Sequence, residues 1–238
     1  INQSYWSYFD YIDGVHFKGG NVELDSASSY VAKFTKEIIK YPKKNISKEF
    51  KYFSKEDYEI IVWMEKNRKK LNNIFGRKIS TLIKNNLLGI IYLFRTLKKL
   101  YKFKSKKQVI HLDLHPHNII MKDSKVNGVL DIDSCVTGNY MTSLSYSALK
   151  LCKQCVISMG NNSAGRISNR FLRNLERKFK LKKNDLSNFY IFAMSEVLRR
   201  LIYMFKISIK HKDYKWNRMI PVQINHINEC AIFFKKPF

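Results

Sequence analysis

Apolar residues recur at three- and four-residue steps along most of the chain. From Ile79 to about Tyr101, Leu82, Ile83, Leu87, Ile90, Ile91, Phe94 and Leu97 share one face and predict a long core helix. Upstream, "LDSASSYVAKFTKEIIK" carries Val31, Phe34, Ile38 and Ile39 at helical spacing, with Ser26 as a cap candidate and Pro42 as the stop. The segment from Ser54 to Phe75 opens on "SKED", with acids in the first turn, and predicts another helix. Beyond residue 141 the helical period returns over 142–159, 165–180, 184–210 and 221–235. Two stretches break it. "YWSYFDYIDG" predicts a strand entering an Asp-Gly turn, and "QVIHLDL", "NIIMKD" and "VNGVLDIDS" predict an extended run, a loop and a β-hairpin turning at "DSK". No internal repeat or low-complexity linker interrupts the pattern.

With 238 residues, 45% hydrophobic and 14% aromatic, the chain can bury a substantial core as one large domain or as a small lobe plus a larger one. It opens on Ile1, so the natural chain is expected to begin upstream. The net charge of +25 raises nucleic acid or an anionic surface as a partner. Yet the cations are 34 Lys against 10 Arg in a chain crowded with Ile and Asn, the usage that AT-rich codons produce. A solvated lysine-rich surface is favoured over a nucleic-acid site, which would draw on Arg and its bidentate fork. Four cysteines, at 135, 152, 155 and 230, are too few for a disulfide scaffold. "CKQC" at 152–155 lies in a helical pattern without further zinc ligands, so reduced buried thiols are expected. No apolar run reaches the ~18 residues of a membrane span and no signal peptide opens the chain, so a cytoplasmic location is expected.

The chemistry concentrates in "VIHLDLHPHNIIM". His111, Asp113, His115 and His117 alternate, and on a straight strand all four would crowd one ion. Pro116 breaks such a strand, and only His16, His211 and His226 remain as further histidine ligands, so a loop is favoured over a zinc or iron site. The competing readings are a polar loop with capping histidines and the catalytic loop of a phosphotransferase. The pattern H-x-D-L-x-x-x-N is met by His111, Asp113, Leu114 and Asn118, and Asp131 follows a hairpin that would fold it back over the loop. Phosphoryl transfer needs such a set: an aspartate to orient the acceptor hydroxyl and take its proton, and hard oxygen donors for Mg2+.

"HLDLHPHNII" followed by "GVLDIDS" resembles the signature of the aminoglycoside phosphotransferase and choline kinase-like family, commonly H-G-D-L-H-P-x-N-I-L, a hairpin, then I-D-F. The resemblance implies Asp113 as catalytic base, Asn118 and Asp131 as Mg2+ ligands, and His111, His115 and His117 as loop-supporting residues. It implies ATP or GTP as donor and a small-molecule hydroxyl as acceptor. It also implies an α+β fold, the mainly helical C-terminal lobe of a protein kinase-like fold with a short catalytic-loop hairpin. "SYFDYIDG" is similar to the family's hinge, with Phe9, Asp10 and Tyr11 near adenine. Residues 1–13 would then end a small lobe and 14–238 form the helical substrate lobe. Protein kinases of the eukaryotic type are disfavoured, because "IDS" and not "FG" follows Asp131 and no A-P-E segment follows.

The departures are Leu112 where the family has Gly, and Thr142, Ser143 and Ser145 where it has an acid starting the next helix. They favour the alternative of a catalytically inactive kinase-like binding module. No Walker-type loop occurs, and Lys33 with Glu37 sits in a helical pattern, so the nucleotide-covering lobe is expected upstream and this chain alone is expected to be weakly active or inactive. With 19 acids in all, the chain disfavours polycationic aminoglycosides as acceptors. Glu176, Asp185, Glu196 and Asp213 are the candidates in the C-terminal helices. Glu196 is a candidate acceptor contact, against the stronger reading of a surface acid paired with Arg199 or Arg200.

Overall fold

Leu24, Ala27, Val31 and Ala32 form the buried face of α1 (Asn21–Ile38), whose start is fixed by an acid in its own first turn. The Glu23 carboxylate accepts from the backbone N–H groups of Lys18 (3.0 Å), Gly19 (2.9 Å) and Gly20 (3.4 Å). Ser26 is therefore not the cap. It lies inside the helix, and its hydroxyl accepts from the Val126 N–H at 2.9 Å. These features belong to a computed structural model that describes residues 11–46, 49–50, 53–100, 107–160, 164–179, 181 and 183–234.

Ser54 caps α2 (Lys55–Lys66) through a reciprocal box with Asp57, as "SKED" predicts. The expected single helix to Phe75 is broken at Asn67, where φ −113° and ψ 32° leave the helical region. A short 3-10 turn leads into α3 (Leu71–Leu100). Gly76, at φ 74° and ψ 161°, breaks the start of α3, so the regular core helix follows it. A left-handed, extended-ψ residue of this kind is accessible essentially to glycine alone.

Next come β2 (Gln108–His111), β3 (Ile119–Lys122), β4 (Lys125–Val129) and β5 (Cys135–Gly138). β3 and β4 form the expected hairpin, and Asp123 and Ser124 at its tip have φ 50° and 59°, the two positive angles of a type I′ turn. β1 (Val15–His16) pairs antiparallel with β3 after the Asp13-Gly14 turn. Gly14 has φ 137°, and a Cβ there would collide with the Met121 carbonyl. β2 pairs antiparallel with β5, joining His111 to Cys135. The segment 112–118 thus spans the gap between a three-stranded and a two-stranded sheet.

The C-terminal half is α4 (Tyr140–Met159), α5 (Ala164–Phe179), α6 (Lys183–Lys210) and α7 (Ile220–Phe234), each bound within two residues of the periodicity. α4 packs on α1, α5 and α6, and buries Leu144, Ala148, Leu149, Leu151, Cys152 and Cys155. Burial holds the thiols of Cys152 and Cys155 well above the usual thiol range, so they serve as small apolar core groups. Phe189, Val197, Leu198, Leu201 and Phe205 of α6 complete this core, which forms a rigid floor under the 112–118 loop. No described helix is long and apolar enough to cross a membrane.

Candidate active site

His111 ends β2 with its ring fully buried, and both nitrogens are engaged. Nε2–H donates to the Asp131 carbonyl at 2.9 Å and Nδ1 accepts from the Asp113 N–H at 3.1 Å, which defines a neutral tautomer. Burial lowers its pKa, outweighing the Asp131 carbonyl and the nearby carboxylates that act the other way. The imidazole thereby fastens the start of the loop to the end of the hairpin. Ser143, in the first turn of α4, donates to the His111 carbonyl at 2.6 Å. That hydroxyl holds loop backbone.

Asn118 closes the loop. Its Nδ2 donates to the Asp113 carbonyl at 2.9 Å, and its backbone carbonyl accepts from Leu130 at 2.9 Å, placing Asp131 next to it across the hairpin. With Nδ2 so fixed, the Asn118 Oδ1 has no hydrogen bond among the described residues. Asp131 is exposed in the left-handed region, at φ 59° and ψ 46°, where its carboxylate turns away from the strand. Ser134 donates to one of its oxygens at 2.9 Å.

Asp113 is held on two sides. His115 Nε2 lies 3.4 Å from Oδ2, while His115 Nδ1 accepts from the His117 N–H. Arg200 of α6 reaches Oδ1 at 3.2 Å and the Leu112 carbonyl at 3.0 Å with the same nitrogen. Burial of this carboxyl, 26% exposed, would by itself raise its pKa; the His115 hydrogen bond and the Arg200 charge outweigh it and hold the group at about 2.

The contact of Arg200 with Asp113 escaped the sequence reading, whereas the expected pairing of Glu196 with Arg199 or Arg200 holds and only its surface placement fails. Glu196 is neither a surface acid nor an acceptor contact: it is 0% exposed, and binds Arg199 through both oxygens at 2.9 Å and Arg200 at 2.7 Å. Arg200 also stacks on Tyr146, 4.2 Å from the ring centre. Glu176, Asp185 and Asp213 line neither of the two hollows that open at Asp113.

The alternating histidines do not converge on an ion. The His117 ring sits edge-on to His115 and His16, and no group of three or more His, Cys, Asp or Glu among the described residues could hold a metal. Asn118 and Asp131 are a different donor set, two hard oxygens at one end of a hairpin. That suits Mg2+, which takes one or two protein oxygens and fills its octahedron with water and phosphate. Of the hinge residues, Phe9 and Asp10 lie outside the described residues, and Tyr11 is 87% exposed.

A mainly helical lobe carrying a catalytic-loop hairpin defines a protein of the kinase-like class. Over residues 2–154 the chain matches the phosphotransferase enzyme family, designated APH, and it belongs to that family. Among solved structures it is similar to an ethanolamine kinase of Plasmodium vivax (TM-score 0.61, 11% identity, covering 95% of this chain and 66% of that one). It is also similar to an amicoumacin kinase in complex with AMP-PNP and Ca2+ (0.57, 11%, 94% and 64%). A third is a spectinomycin phosphotransferase in complex with ADP and spectinomycin (0.56, 13%, 94% and 69%). The chain thus spans about two thirds of the length of these structures, and at such identities the likeness establishes the fold. No curated protein matches it by sequence.

Proposed function

We propose that the chain is the helical substrate lobe of a phosphotransferase that moves the γ-phosphate of ATP or GTP to a hydroxyl of a small molecule. The observation that carries this reading is the hydrogen-bonded chain from Asn118 through Asp113 and His111 to Asp131, which joins the candidate base and both candidate metal ligands. Residues 1–13 are taken as the end of a small lobe and the hinge, and 14–238 as the substrate lobe.

In this reading the acceptor oxygen forms a bond to the γ-phosphorus as the bond to the bridging oxygen breaks, and the nucleoside diphosphate leaves with that electron pair. The hydroxyl proton passes to Asp113. A carboxylate held near pKa 2 is a weak base, so its main work is to orient the hydroxyl. Proton transfer completes late, which suits the loose transition state of phosphoryl transfer. Asn118 and Asp131 would hold Mg2+, which when bound neutralises phosphate charge.

Calorimetry of ATP and GTP binding, with and without Mg2+, tests the proposal on this chain and on a longer one extended upstream. Mg2+-dependent binding that Asp131→Ala abolishes is expected in the extended protein. Absence of binding by either form returns the chain to the reading of a kinase-like binding module.

A further inference from the structure

The hollow on the far side of Asp113 from the candidate metal ligands has a volume of about 460 Å3 and lies between the loop, α4 and α7. Neither Asn118 nor Asp131 lines it, nor does the Asp133–Ser134 turn that lines the other hollow at Asp113, so within the phosphotransferase reading, on which this inference rests, it is where the acceptor belongs. Its walls carry three fixed cations, Lys150, Lys153 and Arg200, against the single carboxylate of Asp113. Arg200 is compensated by Glu196 and Asp113, and Lys153 by Glu229 at 2.7 Å. Lys150, half-buried one turn before Lys153, has no hydrogen-bond or ion-pair partner among the described residues.

We propose that the acceptor is an anionic alcohol, whose carboxylate or phosphate is bound by Lys150 while its hydroxyl lies against Asp113. An oxyanion supplies the one charge this wall lacks, and the apolar sides of Ile157, Met219 and Val222 remain for its carbon skeleton. Burial, then the charges of Lys153 and Arg200, push the Lys150 ammonium down to about 8. Glu229 and Asp113 act the other way, and a bound oxyanion would join them against the two cations, whereas an ammonium-bearing acceptor adds to the cations. Specificity therefore works by repulsion as well as attraction, and turns away amino alcohols and aminoglycosides.

The test uses the whole chain with its lysines 13C-dimethylated and followed by NMR, the Lys150 signal being assigned from its loss in Lys150→Met. Phosphate, sulfate and citrate are added at constant ionic strength against chloride. The Lys150 titration midpoint should rise by about half a unit or more, while that of exposed Lys98 stays fixed. Equal responses at both lysines, or none at Lys150, overturn the site. A matched set of glycerate, glycerol phosphate, glycerol and ethanolamine, offered with Mg2+ and ATP to the upstream-extended protein, then distinguishes carboxylate from phosphate. Transfer to ethanolamine that survives Lys150→Met overturns the acceptor class and leaves the phosphotransferase reading intact. A Lys150 response to phosphate without nucleotide binding in the extended protein overturns the acceptor assignment together with that reading, and leaves only an oxyanion site.

Discussion

On the Asp113 side of the catalytic-loop segment the charges are buried and cross-linked; on the Asp131 side they face solvent. Asp113 is gripped by His115 and by Arg200, which is itself anchored by fully buried Glu196. Asp131 has one side-chain hydrogen bond, from Ser134, and otherwise an open carboxylate on a left-handed residue. The difference matches what each side is asked to do in the proposed reaction. A group that orients a hydroxyl needs fixed geometry, whereas metal ligands need free oxygen lone pairs. The helical floor supplies the first through α4 and α6, and the hairpin supplies the second.

The largest effect is expected from breaking the buried side. Glu196→Gln takes the buried carboxylate from Arg199 and leaves Arg200 with Asp113 alone, at a cost of ~3–5 kcal/mol. The melting temperature should fall by roughly 10 °C, at about 2–4 °C per kcal/mol for a chain of this size. An unchanged melting temperature in calorimetric scans refutes the idea that this pair anchors α6.

Next comes pH. His226 of α7 is fully buried, and burial, then Lys150, Lys153 and Arg200, lower its pKa from 6.5 to about 2, so its 3.6 Å approach to Glu229 involves a neutral ring. Its proton is bound more strongly in the unfolded chain. Stability attributable to it is therefore complete above pH 6.5 and declines as pH falls from there toward 2. At pH 5 the loss amounts to roughly 2 kcal/mol. Denaturant titrations should give His226→Leu a flatter pH dependence between 7 and 5 than the wild type, and parallel curves for the two speak against a buried neutral ring.

Smaller effects separate the two sides. Ser143→Ala removes the hydroxyl donated to the His111 carbonyl, and should destabilise by about 1–1.5 kcal/mol in urea unfolding. On the open side, Asp123→Asn with Ser124→Gly gives the hairpin tip residues suited to its positive φ angles, and should stabilise by about 0.5–1 kcal/mol. If the two sides are as separate as their contacts indicate, that pair leaves the titration of Asp113 unmoved.

The helices after residue 139 were legible because their periodicity is unbroken. The break at Asn67 was not, since apolar spacing continues across it and asparagine can sit inside a helix as well as end one. β5 was missed for a related reason: Cys135–Gly138 has no alternation, and only its partner β2 makes it a strand. The loop residues could be found by spacing, because they are near in sequence and resemble a family pattern. Arg200 lies 87 positions from Asp113, a separation that no local pattern spans. Glu196 misled because a charge within an apolar helix can face water or be buried against a partner, and packing decides which.

The grip on Asp113 is tested most directly by its own titration, followed through the 13C carboxyl resonance in the wild type and in Arg200→Met. The wild-type midpoint should lie near 2, and the variant should move it up toward the ordinary value of 3.8 as the Arg200 charge is lost. A wild-type midpoint at 3.8, or one indifferent to Arg200, contradicts the account.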